Sequence, residues 1–369
     1  MRTPDFTNES TAARRPHHAA PSLASVRVIL ASELMGQPLP GCSDAGLAVT
    51  VNGTARVLRR AGVHAEAWKV TGADQLMERL EADSWRAARP ITHVVINNPR
   101  FIPPQKFAEM AGKHADTEFV QLNHSGLAYL SIDDRGVRNI KRVMEMETAM
   151  HNVRVAGNNK RFTKWLNGNF GSDHVLLPNL YDIETFRNPV VARRDYDPLR
   201  VGSFGAGRPW KNQLVAAEAA LTMARRLGVQ LELHVNTGHW DTDGKHNEAR
   251  KELFEELPGS RIVEVKWDAW PKFRRTVGSM DLLMSPSFDE TFCVVCADGI
   301  AEGVPSVVTG AMEWAPRTWW ADEPWDQASV AHVGMALLHN RVGAIHDGRQ
   351  ELADYVETGT RKWIDYLCG

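Results

Sequence analysis

The sequence predicts an α/β protein with parallel sheets in two consecutive units, on three observations. Short apolar, strand-like runs alternate with helical patterns along most of the chain. A polar, charged stretch with two prolines, Asn188 to Pro198, interrupts the alternation, which then starts again. The segment from Asp281 to Thr309 reads as strand, polar loop, helix and strand, with Gly303 closing the helix and Pro305 stopping it.

In order, Val26 to Leu30 reads as the first strand, followed by a long loop from Ala31 to Asp44 and a helix over Leu47 to Ala61. Ala65 to Val70 is the second strand and Asp74 to Ala88 a charged helix. Ile91 to Asn97 is a strand ended by Asn98-Pro99. Pro104 to Lys113 is helical, Thr117 to Leu122 a strand, and Val137 to Met150 a helix of mixed charge. Asn152 to Ala156 and Val175 to Pro178 complete this half. After the linker come strand Arg200 to Phe204, helix Asn212 to Leu227, strand Gln230 to Val235, helix Asn247 to Glu256, strand Arg261 to Val265 and helix Trp270 to Val277. The expected organisation is a disordered tail over 1–25, one domain over 26–190, a second over 191–345 and a terminal helical segment over 346–369.

A chain of 369 residues, 43% hydrophobic and 24% charged, suffices for two domains with real cores. A formal net charge of −2 gives no global pull toward nucleic acid or anionic membrane. No apolar run reaches the roughly 18 residues of a membrane helix, and the first 25 residues lack the apolar core of a secretory signal. Four cysteines are too few for a disulfide framework, so the expected compartment is the reducing cytoplasm.

The chemistry concentrates after Asp281. Ser285-Pro-Ser-Phe-Asp-Glu290-Thr-Phe-Cys-Val-Val-Cys-Ala-Asp298-Gly-Ile-Ala-Glu-Gly-Val-Pro305 offers a strand-loop-helix whose free N–H groups seat a phosphate. With Glu290 at the helix start, Asp298 would lie roughly 12 Å further along the axis. Such a span suits a sugar at one end of a diphosphate and a ribose at the other. The second unit opens with Val201-Gly-Ser-Phe-Gly-Ala-Gly-Arg208-Pro-Trp-Lys211-Asn212, a glycine-rich loop followed by two cations able to meet charge on a leaving diphosphate.

These segments resemble the donor-binding motifs of retaining GT-B glycosyltransferases, the GT4-like family, over about residues 26–340. The departures are Asp298 for a Glu, Cys293 for a small residue and Asn212 where Gly often follows the Lys. The resemblance implies two Rossmann-like domains facing a cleft, with the tail helix packing back on the first. It implies transfer of a hexosyl or pentosyl group from a nucleoside-diphosphate sugar, retaining, with no cofactor and no metal. Donor contact falls to Arg208, Lys211, Glu290, Thr291, Phe292, Cys293 and Asp298, and catalysis to Glu290 and His124. His124 follows the fourth strand in Gln121-Leu-Asn-His124-Ser-Gly126, where the family has a cleft histidine. Gly41 and Gly46, in the loop from Ser32 to Gly46, stand where the family has a glycine-rich loop; mere turn punctuation is the other reading. Leu177-Pro-Asn179-Leu-Tyr-Asp182 resembles a structural segment ahead of the linker.

Cys293-Val-Val-Cys296 has the spacing of half a zinc or redox site, but no second pair lies at a fitting distance, so packed, inert cysteines are expected. Trp314, Trp319, Trp320 and Trp325 read as packing rather than as sugar or base platforms, and Glu313 has no resolved role. Asp241-Thr-Asp243 reads as a turn, not a metal motif. Arg135, Arg138, Lys141 and Arg142, with Lys160, Arg161 and Lys164, form a solvated face or, alternatively, a track for a polyanion. The acceptor stays open among glycan, protein, small molecule and DNA. Hydroxymethylated DNA enters through similarity to phage-type enzymes. A sugar-nucleotide epimerase and a non-catalytic sugar-nucleotide binder are the rival classes.

Overall fold

The computed structural model describes residues 22–33, 46–97, 102–124, 126–131, 136–171, 173–185, 196, 198–236, 249, 251–254 and 259–369. The expected tail over 1–25 therefore lies outside them up to residue 21. Gly41, Asp241, Asp243, Arg135 and most of the linker also lie outside.

The first unit holds β1 (Arg27–Glu33), α1 (Gly46–Arg60), β2 (His64–Val70), α2 (Ala73–Arg86), β3 (His93–Asn97) and α3 (Pro104–Lys113). It continues with β4 (Glu118–Asn123), α4 (Leu127–Leu130), α5 (Gly136–Ala149), β5 (Val153–Gly157), α6 (Lys160–Phe170) and β6 (Val175–Leu176). Its strands pair in the order β2-β1-β3-β4-β5-β6, and every pair is parallel. The second unit holds β7 (Leu199–Ser203), α7 (Gln213–Leu227), β8 (Leu231–Asn236), β9 (Arg261–Val265), α8 (Trp270–Gly278), β10 (Leu282–Met284), α9 (Val294–Glu302) and β11 (Ser306–Val307). These strands pair β11-β10-β7-β8-β9, again all parallel. Helices α10 (Gln327–His339) and α11 (Arg341–Cys368) end the chain. Both units are Rossmann-like. In such sheets ligands sit beyond the strand C-termini where the strand order reverses, between β1 and β3 in one sheet and β7 and β10 in the other.

The strands are buried on both faces, as parallel sheets under crossover helices require; Val28, Ile29, Leu30 and Val94 to Ile96 are at most 1% exposed. One apolar cluster runs from Val28, Leu58 and Val120 through Leu180 and Tyr181 to Phe292, Ala297 and Trp363, so the two units share a core. Helix α11 joins that core in the second unit through Ala344 and Ile345. Farther along, it docks on the first, where the Trp363 indole donates to the Pro178 carbonyl at 2.8 Å.

Two local readings are corrected. Helix α6 replaces a stretch read only as basic. Its signals were there: Asn159 caps it by accepting from Phe162 N, and Gly171 closes it at φ 68°. Helix α9 starts at Val294, not at Glu290, so Glu290 to Cys293 is loop and the 12 Å helical span between the two acids does not apply.

Candidate functional site

The reversal point of the second sheet gathers the expected donor residues. After β7, Gly205 takes φ 114°, a left-handed backbone that turns the chain toward Arg208. Pro209–Lys211 form a single 3-10 turn, ended by Asn212 at φ 55°. Asparagine is among the few non-glycine residues that take this conformation readily, which accounts for its standing in place of Gly. Its side chain donates to the Pro286 carbonyl at 3.1 Å and ties the Arg208–Lys211 turn to the loop after β10. Phe288 N donates to Trp210 O at 2.8 Å, a second tie between the two loops.

The result is an ion pair between Lys211 Nζ and Glu290 Oε2, whose side chains are 18% and 10% exposed. Burial pulls the Lys211 ammonium down, but Glu290, the Cys293 thiolate and the hydrogen bond outweigh it, and it stays above its usual value. Arg208 is half-buried, with its guanidinium 5.4 Å from the Tyr129 ring centroid and 5.8 Å from that of Trp210. Thr291 is half-buried beside them, its N–H turned back to Glu290 Oε1 at 3.2 Å.

The first unit meets this cluster with neutral groups. His124 follows β4. Its Nε2 lies 2.8 Å from Asn97 Oδ1, so it carries the proton and donates. Its Nδ1, 3.3 Å from Asn158 Nδ2, accepts. Burial pushes its pKa down to about 3, so His124 is neutral at physiological pH and its ring does not stabilise charge as an imidazolium. Asn97 and Asn158, which lock the tautomer, are buried residues to which the sequence reading gave no role. Asn97 ends β3 and Asn158 directly follows β5, and that place at a strand end is the signal that could have found them.

The cleft is bridged by contacts that sequence did not announce. Asp289 Oδ2 accepts from Ala128 N at 2.7 Å, at the start of α4. A Cβ on Gly126 would stand 2.2 Å from that oxygen, so glycine is what permits the approach. The Tyr129 and Trp210 rings meet edge to face at 5.9 Å. Arg161 pairs with Glu313 at 3.5 Å and donates to the Gly310 carbonyl, so it is no free cation of a basic track. Gly46 opens α1, and a Cβ there would stand 4.0 Å from Val294, beside the start of α9. Beside Glu290 lies a cavity of about 240 Å³ whose lining includes Asn158, Lys160, Glu313, Glu351, Asp354 and Tyr355.

Three expected donor residues are placed differently. Phe292 is 2% exposed and stacks on Tyr355 at 5.7 Å, with Trp314 at 5.5 Å donating to its carbonyl, so its side chain is core. Asp298 is fully buried; Tyr181 OH donates to it at 2.6 Å and the Trp270 indole at 3.0 Å. Burial raises its pKa to about 7 against those two bonds. Its carboxyl group thus joins the two units instead of opening toward a ribose. Cys293 sits at φ 58°, half-buried against the apolar core one residue before α9, with its sulfur 3.3 Å from that of Cys296. Of the four tryptophans, Trp314 and Trp319 are buried as expected, while Trp325 is 68% exposed. Among the described residues no three His, Cys, Asp or Glu side chains gather as a metal cage would need.

No family model matches the sequence, and no curated protein does. Solved structures do match. Anabaena HepE, solved with UDP and glucose, superposes with a TM-score of 0.63 at 13% identity, covering 92% of this chain and 99% of that one. Sucrose-phosphate synthase from Thermosynechococcus elongatus gives 0.62 at 16% identity, over 92% and 98%. S. aureus TarM, solved with fondaparinux, alpha-GlcNAc-glycerol and UDP, gives 0.56 at 14% over 75% of this chain, which spans 55% of TarM's length. At these identities the likeness concerns the fold: two Rossmann-like domains in the GT-B arrangement.

Proposed function

We propose that the chain is a GT-B glycosyltransferase of GT4-like type that moves a sugar from a nucleoside-diphosphate donor, with retention and without a metal. The observation that carries this is the buried Lys211–Glu290 pair with Arg208 at the reversal point of the second sheet, Arg208 lying against Tyr129 of the first unit. Lys211 and Arg208 meet the charge that develops on the leaving diphosphate, where fixed cations lower the barrier most. Glu290, freed as the phosphates engage Lys211, accepts hydroxyl protons of the transferred sugar. Neutral His124, fixed by Asn97 and Asn158, lines the opposite wall as a hydrogen-bonding group. The ribose contact implied for Asp298 requires Trp270 to give way, so Trp270 controls that end of the site. The solved structures holding UDP with glucose or with a GlcNAc-glycerol support the choice of donor class. Low cysteine usage supports a cytoplasmic setting.

The cavity beside Glu290 is the acceptor end. Its small size, and a lining that mixes the acids Glu313, Glu351 and Asp354 with Lys160, Arg161 and Lys362, favour a small, hydroxyl-rich acceptor over a long polyanion. A DNA acceptor keeps the outer cations Arg138, Lys141, Arg142 and Lys164, exposed on α5 and α6, with Lys160 at the cavity. The deciding experiment is a thermal-shift screen of nucleotide sugars, then mass spectrometry of products with sugar, protein and hydroxymethylated-DNA acceptors. Stabilisation by no nucleoside diphosphate or its sugar would sink the reading. Conversion of the donor sugar without any acceptor would point to an epimerase instead.

A further inference from the structure

The Cys293–Cys296 pair stands outside the transfer chemistry, and its geometry is unlike that of two packed thiols. The sulfurs are 3.3 Å apart, against the roughly 2.05 Å of a disulfide. Cys293 is the residue before α9, half-buried and held at φ 58°, so it is reached from solvent more readily than the fully buried Cys296. Cys296 is fully buried one turn on and approachable through its neighbour. The hydrogen bond with Cys296 holds the Cys293 thiol below its usual value against burial and Glu290, with a smaller contribution from the Lys211 charge, while burial keeps the Cys296 proton in place. One sulfur is thus activated and reachable, the other protonated and adjacent.

We propose that Cys293 and Cys296 form a peroxide-reactive dithiol, with Cys293 as the attacking and Cys296 as the resolving sulfur, placed to switch the phosphate seat beside Lys211. The Cys293 thiolate attacks one oxygen of a hydroperoxide. The O–O bond breaks, the departing alkoxide or hydroxide takes a proton, and Cys293 becomes a sulfenic acid. The Cys296 sulfur then attacks the Cys293 sulfur. The S–O bond breaks, the hydroxyl leaves as water with the Cys296 proton, and a disulfide remains. The two thiols lose two electrons and the peroxide gains them. Lys211 loses its neighbouring thiolate, and the first turn of α9 is pinned. This last consequence rests on the donor-site reading; the thiol chemistry does not.

Both cysteines fall in one tryptic peptide, since no Lys or Arg occurs between Arg275 and Arg317. The full chain treated with hydrogen peroxide should show that peptide lighter by about 2 Da, reversibly with dithiothreitol. In Cys296→Ser, dimedone should trap a sulfenic acid on Cys293. Two free, alkylatable thiols under conditions that oxidise Cys368 would overturn the proposal. That comparison needs only the unmodified sequence, so it stands even where Cys296→Ser does not fold. Titration with inorganic pyrophosphate tests the link to the phosphate seat: the disulfide form, which has lost the negative charge beside Lys211, should bind several-fold more tightly than the reduced form. Equal, measurable affinity in both forms would break the link. No affinity in either form would refute the donor-site reading, with the thiol result read separately.

Discussion

The two walls of the cleft solve the same problem with opposite means. The second unit presents full charges, Lys211 and Glu290, each neutralising the other inside the fold. The first presents a neutral chain, Asn97–His124–Asn158, in which every proton position is set by its neighbour. Charge is kept where a diphosphate must be held and released, and neutrality where a sugar needs orientation without a competing field. The difference teaches that the histidine, the residue most readily assigned acid–base work from sequence, is the one that burial removes from titration.

Breaking the charged wall should have the largest effect. Glu290→Ala and Lys211→Ala each leave a buried charge without its partner, which costs on the order of 3–5 kcal/mol in stability. Transfer should fall by about 100-fold or more. Lys211→Ala should weaken diphosphate binding while sparing a bare nucleoside. Steady-state kinetics and isothermal titration check both; a folded Glu290→Ala with near-normal turnover would remove that residue from the mechanism. Activity is expected to survive EDTA, and loss restored by a divalent ion would overturn the metal-free reading.

The neutral wall should matter less and differently. Replacing His124 by Gln should lower turnover by about tenfold, the worth of one hydrogen bond. The shape of the rate–pH profile between pH 5 and 8 should not change, because His124 titrates near 3. A limb near pH 6.5 that disappears in the variant would show that the ring does exchange protons in turnover.

Asp298 sharpens the comparison from between the walls. Its pKa of about 7, against the ordinary 3.8 of an aspartate, means that between these values the native state holds a proton the unfolded chain has released. Its contribution is therefore present below about 4 and lost as pH rises through 7. His124 runs the other way, present above 6.5 and lost as pH falls toward 3. Asp298→Asn copies the protonated form. Its Tm relative to the parent should rise between pH 5 and pH 8, and an offset that stays constant over that range would contradict the buried, protonated carboxyl. The smallest effect is expected from Lys141→Glu with Arg142→Glu: donor hydrolysis unchanged, and acceptor KM changed only where the acceptor is DNA. A steep salt dependence of DNA binding in the parent would reverse that ranking.

Sequence reading reached the two parallel sheets because strand and helix periodicities are local properties. It located Arg208, Lys211 and Glu290 because they lie in two loops with strong punctuation, Gly205 and Pro209 in one, Pro286 and Gly303 in the other. It did not reach Asn97, Asn158, Asp289 or Trp270, whose partners are 27 to 161 residues away and are brought close only by packing. It missed the inward turn of Asp298 for the same reason. The span between the two acids counted residues as helix, whereas the backbone from Glu290 to Cys293 does not coil. The cysteine spacing was visible, but the left-handed backbone at Cys293 that sets its sulfur against Cys296 was not.

Helix α11 carries a consequence for how the molecule comes into being. It is 28 residues long, about 42 Å, rooted in the second unit at Ala344 and Ile345 and seated on the first at Trp363 and Tyr366. The groove it fills on the first unit is thus covered by a helix that follows the whole second unit in the chain. The first unit made alone carries that apolar groove uncovered, so its core is complete only when the helix beyond the second unit docks on it.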